Sequence, residues 1–167
     1  MAKNRGKDFE NIFYNQMIQQ NDSISIDRFY DTMGGFINIK TVCDFVCYQY
    51  PFQFYFELKA IKGNTLNFKS HITEFQWQEL FEKSKINGVF AGVIVWFIDN
   101  DITAFIPIEH LHDLQSKTLK SFNVKMFDFE HGIETKNIII LKGKKKRIYF
   151  NYDMKEFMER MIYNGNN

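Results

Sequence analysis

Residues 51–68 read PFQFYFELKAIKGNTLNF. Phe52, Phe54, Phe56 and Leu58 fall on one parity, and Gln53, Tyr55, Glu57 and Lys59 on the other. Side chains alternate across a strand, so this is a strand with one aromatic face and one face carrying Glu57 beside Lys59. Upstream, KTVCDFVCYQ (40–49) is rich in strand formers and ends at Pro51. Two strands with so short a link form an antiparallel hairpin.

Outward from that hairpin the chain alternates helix and strand signals. Phe9, Ile12, Phe13 and Met17 recur at helical spacing across 5–20, with Glu10 at the edge of the stripe. Residues 24–29 form a short strand. Thr73 and Gln76 make a capping box, with Ile72 and Trp77 as the hydrophobic staple, so a helix starts there and ends by Ser84 or Lys85. VFAGVIVWFI (89–98) is continuously apolar, the pattern of a central strand buried on both faces. ITAFIPI is a further strand, and a short helix spans 109–116. Residues 117–136 read mostly as loop. NIIIL, GKKK and RIYFNY suggest a terminal hairpin or two crossing strands, and a last helix is capped by Asp153. The expected fold class is α/β, a mixed β-sheet flanked by helices on both sides.

A chain of 167 residues, 45% hydrophobic and 25% charged, has the composition of one globular domain, expected to span 1–167. No stretch is apolar enough for a signal sequence or a membrane span, so a reducing cytoplasm, bacterial or phage-infected, is expected. Cys43 and Cys47 read as buried thiols on one strand face, and the four histidines lack zinc-ligand spacing. The net charge of +1 requires any nucleic-acid affinity to come from local clusters.

Taken alone, Glu57-x-Lys59 fits a surface salt bridge on an edge strand, worth about 0–1 kcal/mol. Asp44, however, interrupts an apolar strand, where aspartate is rare without a partner. An even number of loop residues in the hairpin places Asp44 opposite Glu57, and an odd number places it opposite Phe56. In the first case two carboxylates converge, and a hard cation such as Mg²⁺ or Mn²⁺ relieves their repulsion. Lys59 on the same face then adds a cation for a phosphate or an attacking water.

Asp44, Glu57-Leu58-Lys59 and the helix opening with Gln76 resemble the PD-(D/E)xK nuclease superfamily, more narrowly the RecU-type Holliday-junction resolvases. RGKDFE, FYFELKAIKGNTLNF, HITEFQWQEL, GVFAGVIVWF and ITAFIPIEHL carry the resemblance, from Arg5 to about Leu111. It implies a restriction-endonuclease-like fold. It further implies Asp44 and Glu57 as metal carboxylates, the Leu58 carbonyl as a further metal ligand, and Lys59 as the catalytic lysine. Glu10 would bind metal through water, and Gln76 would position the lysine, the water or the DNA. Two features depart from the family: Cys43 stands where the superfamily's name has proline, and residues 21–43 leave little room for a basic stalk.

DNA cleavage requires phosphate contacts, for which Lys3, Arg5 and Lys7, then Lys59, Lys62 and Lys69, then Lys142, Lys144, Lys145, Lys146 and Arg147 are the candidates. Acidic stretches at 99–113 and 128–134 balance them. The resemblance implies a Mg²⁺-dependent endonuclease that resolves four-way junctions as a homodimer, of a compact, phage-encoded kind. The alternatives are another nuclease of the superfamily that cuts duplex DNA, and a non-catalytic protein that binds branched DNA.

Overall fold

The computed structural model describes residues 4–29, 40–127 and 138–165. Helix α1 (Arg5–Gln20) starts at Asn4, whose side chain accepts from the Lys7 N–H, and buries Phe9, Phe13 and Met17. Strand β1 (Ser25–Arg28) leads to β2 (Phe45–Gln49) and β3 (Phe52–Ile61). The short β4 (Thr65–Asn67) and α2 (Phe68–His71) precede α3 (Glu74–Ser84). The buried β5 (Val89–Phe97), β6 (Ile102–Pro107) and α4 (Ile108–Ser116) come next. The chain continues through β7 (Ser121–Asn123), β8 (Ile139–Ile140), β9 (Gly143–Lys146), β10 (Tyr149–Tyr152) and α5 (Met154–Gly165).

Six strands form the main sheet in the order β1-β2-β3-β5-β6-β8. β3 and β5 run parallel and the other neighbours antiparallel. The parallel pair needs a crossover, which β4, α2 and α3 supply. One face packs against α1 and α5, through Phe9, Phe13, Phe45, Phe54, Phe56, Phe105 and Phe157. The other packs against α2, α3 and α4, through Phe68, Trp77, Leu80, Val93, Val95, Ile106 and Leu111. The fold is mixed α/β with helices on both faces, as the alternation of signals implied.

Several local readings change. β2 begins at Phe45, not at residue 40, because Asp44 turns its carboxylate to the backbone of β3 instead of continuing the ladder. Cys43 and Cys47 therefore lie on opposite faces, Cys43 with the α3/α4 core and Cys47 with the α1/α5 core. Residues 117–127 are not loop throughout: β7 pairs with β4 in a separate ribbon, followed by a 3-10 turn at Val124–Met126. The rest of that segment, 128–136, lies outside the described residues. Ile139–Ile140 extends the main sheet, whereas among the described residues β9 and β10 pair only with each other.

That hairpin is tied down by α1. Gln16 donates to the Phe150 carbonyl (3.0 Å) and accepts from the Tyr152 N–H (2.8 Å). One turn on, Gln20 donates to the Tyr152 carbonyl (2.9 Å) and accepts from the Met154 N–H (2.9 Å). Two carboxamides at i, i+4 thus do for β10 what a neighbouring strand would do. No helix among the described residues is long and apolar enough to cross a membrane.

Candidate active site

The hairpin loop between β2 and β3 is Tyr50-Pro51, an even number, and Phe45 pairs with Phe56. One further step of that ladder sets Asp44 opposite Glu57. Leu58 has no β2 partner at this point, and its N–H donates to Asp44 Oδ2 at 2.7 Å. The N–H and C=O of one strand residue point to the same side, so the Leu58 carbonyl also faces the side on which Asp44 lies.

Glu57 is 1% exposed, with β5 beside it at Val93 and α3 above it. Lys59 Nζ donates to its Oε1 at 2.5 Å. Its Oε2 is buried and has no hydrogen-bond partner among the described residues. Gln76 stands at the N-terminus of α3. Its Oε1 accepts from the Thr73 N–H and hydroxyl, completing the capping box, while its side chain also reaches Glu57. Gln76 thus caps α3 and contacts Glu57 with the same side chain.

Glu10, on α1, is close enough for its charge to act on Asp44, Glu57 and Lys59. It is held by Arg28 of β1 at 2.7 Å, and Arg28 also donates to Asn11 at 2.6 Å. Arg28 gave no sequence signal, because its role depends on a partner eighteen positions away. His71 was also passed over. Its Nδ1 accepts from the Asn67 N–H at 3.0 Å, and burial followed by the charge of Lys59 lowers its pKa.

Burial pushes the Asp44 carboxyl up to about 7, and the charge of Glu57 adds to that. Burial likewise raises Glu57, against the opposing pull of Lys59 and Gln76. For Lys59, burial favours the neutral amine, but Glu57, Asp44 and Glu10 outweigh it and raise its pKa, so it is a cation at neutral pH. Burial and the two acids push the Cys43 thiol up to about 12, so it stays protonated and is a poor metal ligand.

Among the described residues no group of three or more His, Cys, Asp or Glu is arranged to hold a metal ion. Asp44 and Glu57 are a two-carboxylate set with a carbonyl alongside. That is a donor set suited to Mg²⁺, which is commonly bound through one or two carboxylates and keeps several waters. The unpartnered Glu57 Oε2 fits that use.

A solved structure similar to this chain is that of Archaeoglobus fulgidus Hjc, a Holliday junction resolvase from an archaeal hyperthermophile. The TM-score is 0.46 at 16% identity, over 62% of this chain and 78% of that one. No family model matches the chain, and no curated protein matches it.

The basic candidates are distributed over several elements. Arg5 and Lys7 open α1, exposed Lys62 follows β3, and exposed Lys69 is on α2. Lys144, Lys145, Lys146 and Arg147 are exposed on the β9–β10 hairpin. Lys145 is ion-paired with Asp101 at the β5–β6 turn, and Lys142 with Glu156 at 2.5 Å. The Tyr149 hydroxyl donates to Asp8 at 2.5 Å, which brings the hairpin to the start of α1. Lys3 and the acidic stretch 128–134 lie outside the described residues.

Proposed function

We propose that this protein is a Mg²⁺-dependent DNA endonuclease that acts on branched DNA, of the PD-(D/E)xK, RecU-like kind. The observation that carries the proposal is the convergence of Asp44 and Glu57 from paired strands, with the Lys59 amine on Glu57. Asp44, Glu57 and the Leu58 carbonyl would hold the cation, with Glu10 acting through water, and Mn²⁺ would substitute. Such a cation supplies Lewis acidity to a phosphodiester and makes a nearby water more acidic.

The chain's own groups do the rest. Lys59, being a cation, offsets negative charge developing on the phosphate. Gln76 holds Glu57 from α3, so the carboxylate keeps one orientation. Arg28 fixes Glu10 at the rim. Lys62, Lys69 and the basic hairpin grip flanking phosphates, Lys145 exchanging its exposed aspartate for one. Two symmetric nicks in a junction call for a C2 homodimer.

The test is a labelled four-way junction in Mg²⁺ with Asp44→Ala and Lys59→Ala. Each variant should cut at least about a hundredfold more slowly, the scale of losing one preorganised electrostatic group, while still binding. Full-rate cutting by both variants would rule the proposal out. Matched linear duplex separates a junction enzyme from a duplex nuclease, and binding that ignores Mg²⁺ with no cutting indicates a DNA-binding protein.

A further inference from the structure

Phe29 follows β1, and its N–H donates to the Asp44 carbonyl at 2.8 Å. That bond extends the β1–β2 ladder by one pair beyond Arg28↔Phe45. Phe29 is thus the cross-strand neighbour of Asp44, and Asp44 in turn faces Glu57. Side chains directly opposite share a face. Arg28 faces α1, where it holds Glu10, so Phe29 lies on the opposite face, with Asp44, Glu57 and Lys59. It is 47% exposed and stacks on no other ring among the described residues.

Single exposed hydrophobic side chains are ordinary. The location of this one is not. Phe29 is the one phenylalanine among the exposed large hydrophobic side chains of the described residues, and its backbone is bonded to that of Asp44. Its Cα stands about one strand spacing, ~5 Å, from that of Asp44. A phosphate at Asp44 and Glu57 carries its base one sugar away, within reach of that ring. A cation sits by the same carboxylates: Lys59, whose ammonium donates to Glu57.

We infer that Phe29 is a specificity-determining residue that stacks on the base of an unpaired nucleotide next to the bond to be cut. This rests on the nuclease reading and narrows its substrate. In continuous duplex both faces of every base are covered by neighbours. Only an interrupted stack, as at a flap, a junction arm or a single-strand border, offers a free π-face. The protein therefore selects an unstacked nucleotide and does not require four-way geometry, which accounts for branch preference without a stalk.

The test uses Phe29→Trp, Phe29→Ala and Phe29→Tyr in the full chain. Trp77 and Trp96 are buried (7% and 1% exposed), so emission from an exposed tryptophan at 29 is spectrally separable. In Ca²⁺, without turnover, a single-stranded flap and a four-way junction should quench that emission and a matched linear duplex should not. Phe29→Ala should weaken flap and junction binding on the order of ten- to a hundredfold, the scale of one lost base–aromatic stack. Duplex binding should stay within about twofold, and Phe29→Tyr should restore the flap. A labelled flap that binds by anisotropy while the tryptophan stays silent overturns the inference, as does an equal loss on flap and duplex. If no DNA binds at all, the nuclease reading itself fails.

Discussion

Asp44→Asn should make the metal-free protein more stable while abolishing the proposed DNA cleavage. Asparagine keeps the size of the side chain and an oxygen to accept the Leu58 N–H, so only the charge is lost. The Asp44 pKa rises from an ordinary 3.8 to about 7 on folding. Between those values the folded protein keeps a proton that the unfolded chain releases. The folded pKa being the higher, the stabilising contribution is complete below about pH 4 and is lost as pH rises through 7. At about 1.36 kcal/mol per pH unit, that interval corresponds to about 4 kcal/mol. Part of the Asp44 shift comes from the charge of Glu57, itself raised by burial, so about 2 kcal/mol is expected for Asp44 alone. Urea unfolding in EDTA should then give equal stabilities for variant and wild type near pH 4. At pH 8 the variant should lead by about 2 kcal/mol, or about 4–8 °C in Tm for a chain of this size. Histidines and other groups cancel in the difference between the two proteins. Adding 10 mM Mg²⁺ should recover about 1.4 kcal/mol for wild type if Kd is about 1 mM, and little for the variant. A lead of the same size at both pH values, or a variant less stable at pH 8, would refute the reasoning that Asp44 is a buried, repelled charge.

Gln16→Ala should cost about 1–2 kcal/mol by denaturant unfolding, because it leaves the Phe150 carbonyl and the Tyr152 N–H without partners; junction binding should fall with it through loosening of the basic hairpin. Gly92→Ala should destabilise by about 1–3 kcal/mol or prevent folding, since a Cβ there would lie 2.4 Å from the Ile106 carbonyl oxygen; wild-type stability would show that β6 can shift away.

What was legible in the sequence had a period. The alternation from Phe52 to Leu58, the apolar run of β5 and the capping box of α3 each carry their geometry in consecutive residues, and these elements place Glu57, Lys59 and Gln76. The parity of the hairpin loop could not be read, and it alone decided whether Asp44 met Glu57 or Phe56. β4 and β7 were missed because three residues hold too little alternation to separate strand from loop. The reading of Cys43 and Cys47 as one face failed because the β2–β3 ladder stops at Phe45 and Cys43, two residues beyond it, no longer follows the strand alternation. Arg28 and His71 acquire their places only through contacts across the fold, with Glu10 and near Lys59.

The end of β2 also explains why the acidic pair is tolerated. Had the strand continued to residue 40, backbone groups of β2 would have met Leu58 and the Asp44 side chain would have lacked that donor. Because the β2–β3 ladder ends at Phe45, a side-chain carboxylate takes the place of a backbone partner, and the Leu58 N–H lowers the Asp44 pKa against burial and Glu57. The remaining strain is offset by what lies beneath. On the far side of the sheet Phe45 packs on Phe13 (5.4 Å between ring centroids), and Phe56 meets Phe13, Phe105 and Phe157 at 5.6–5.8 Å. Each fully buried phenylalanine contributes about 1.5–3 kcal/mol. The same two strands that carry a destabilising buried charge pair on one face thus carry closely packed aromatic rings on the other. The phenylalanine-rich stretch and its carboxylate are two faces of one requirement: a rigid layer is needed to hold like charges together.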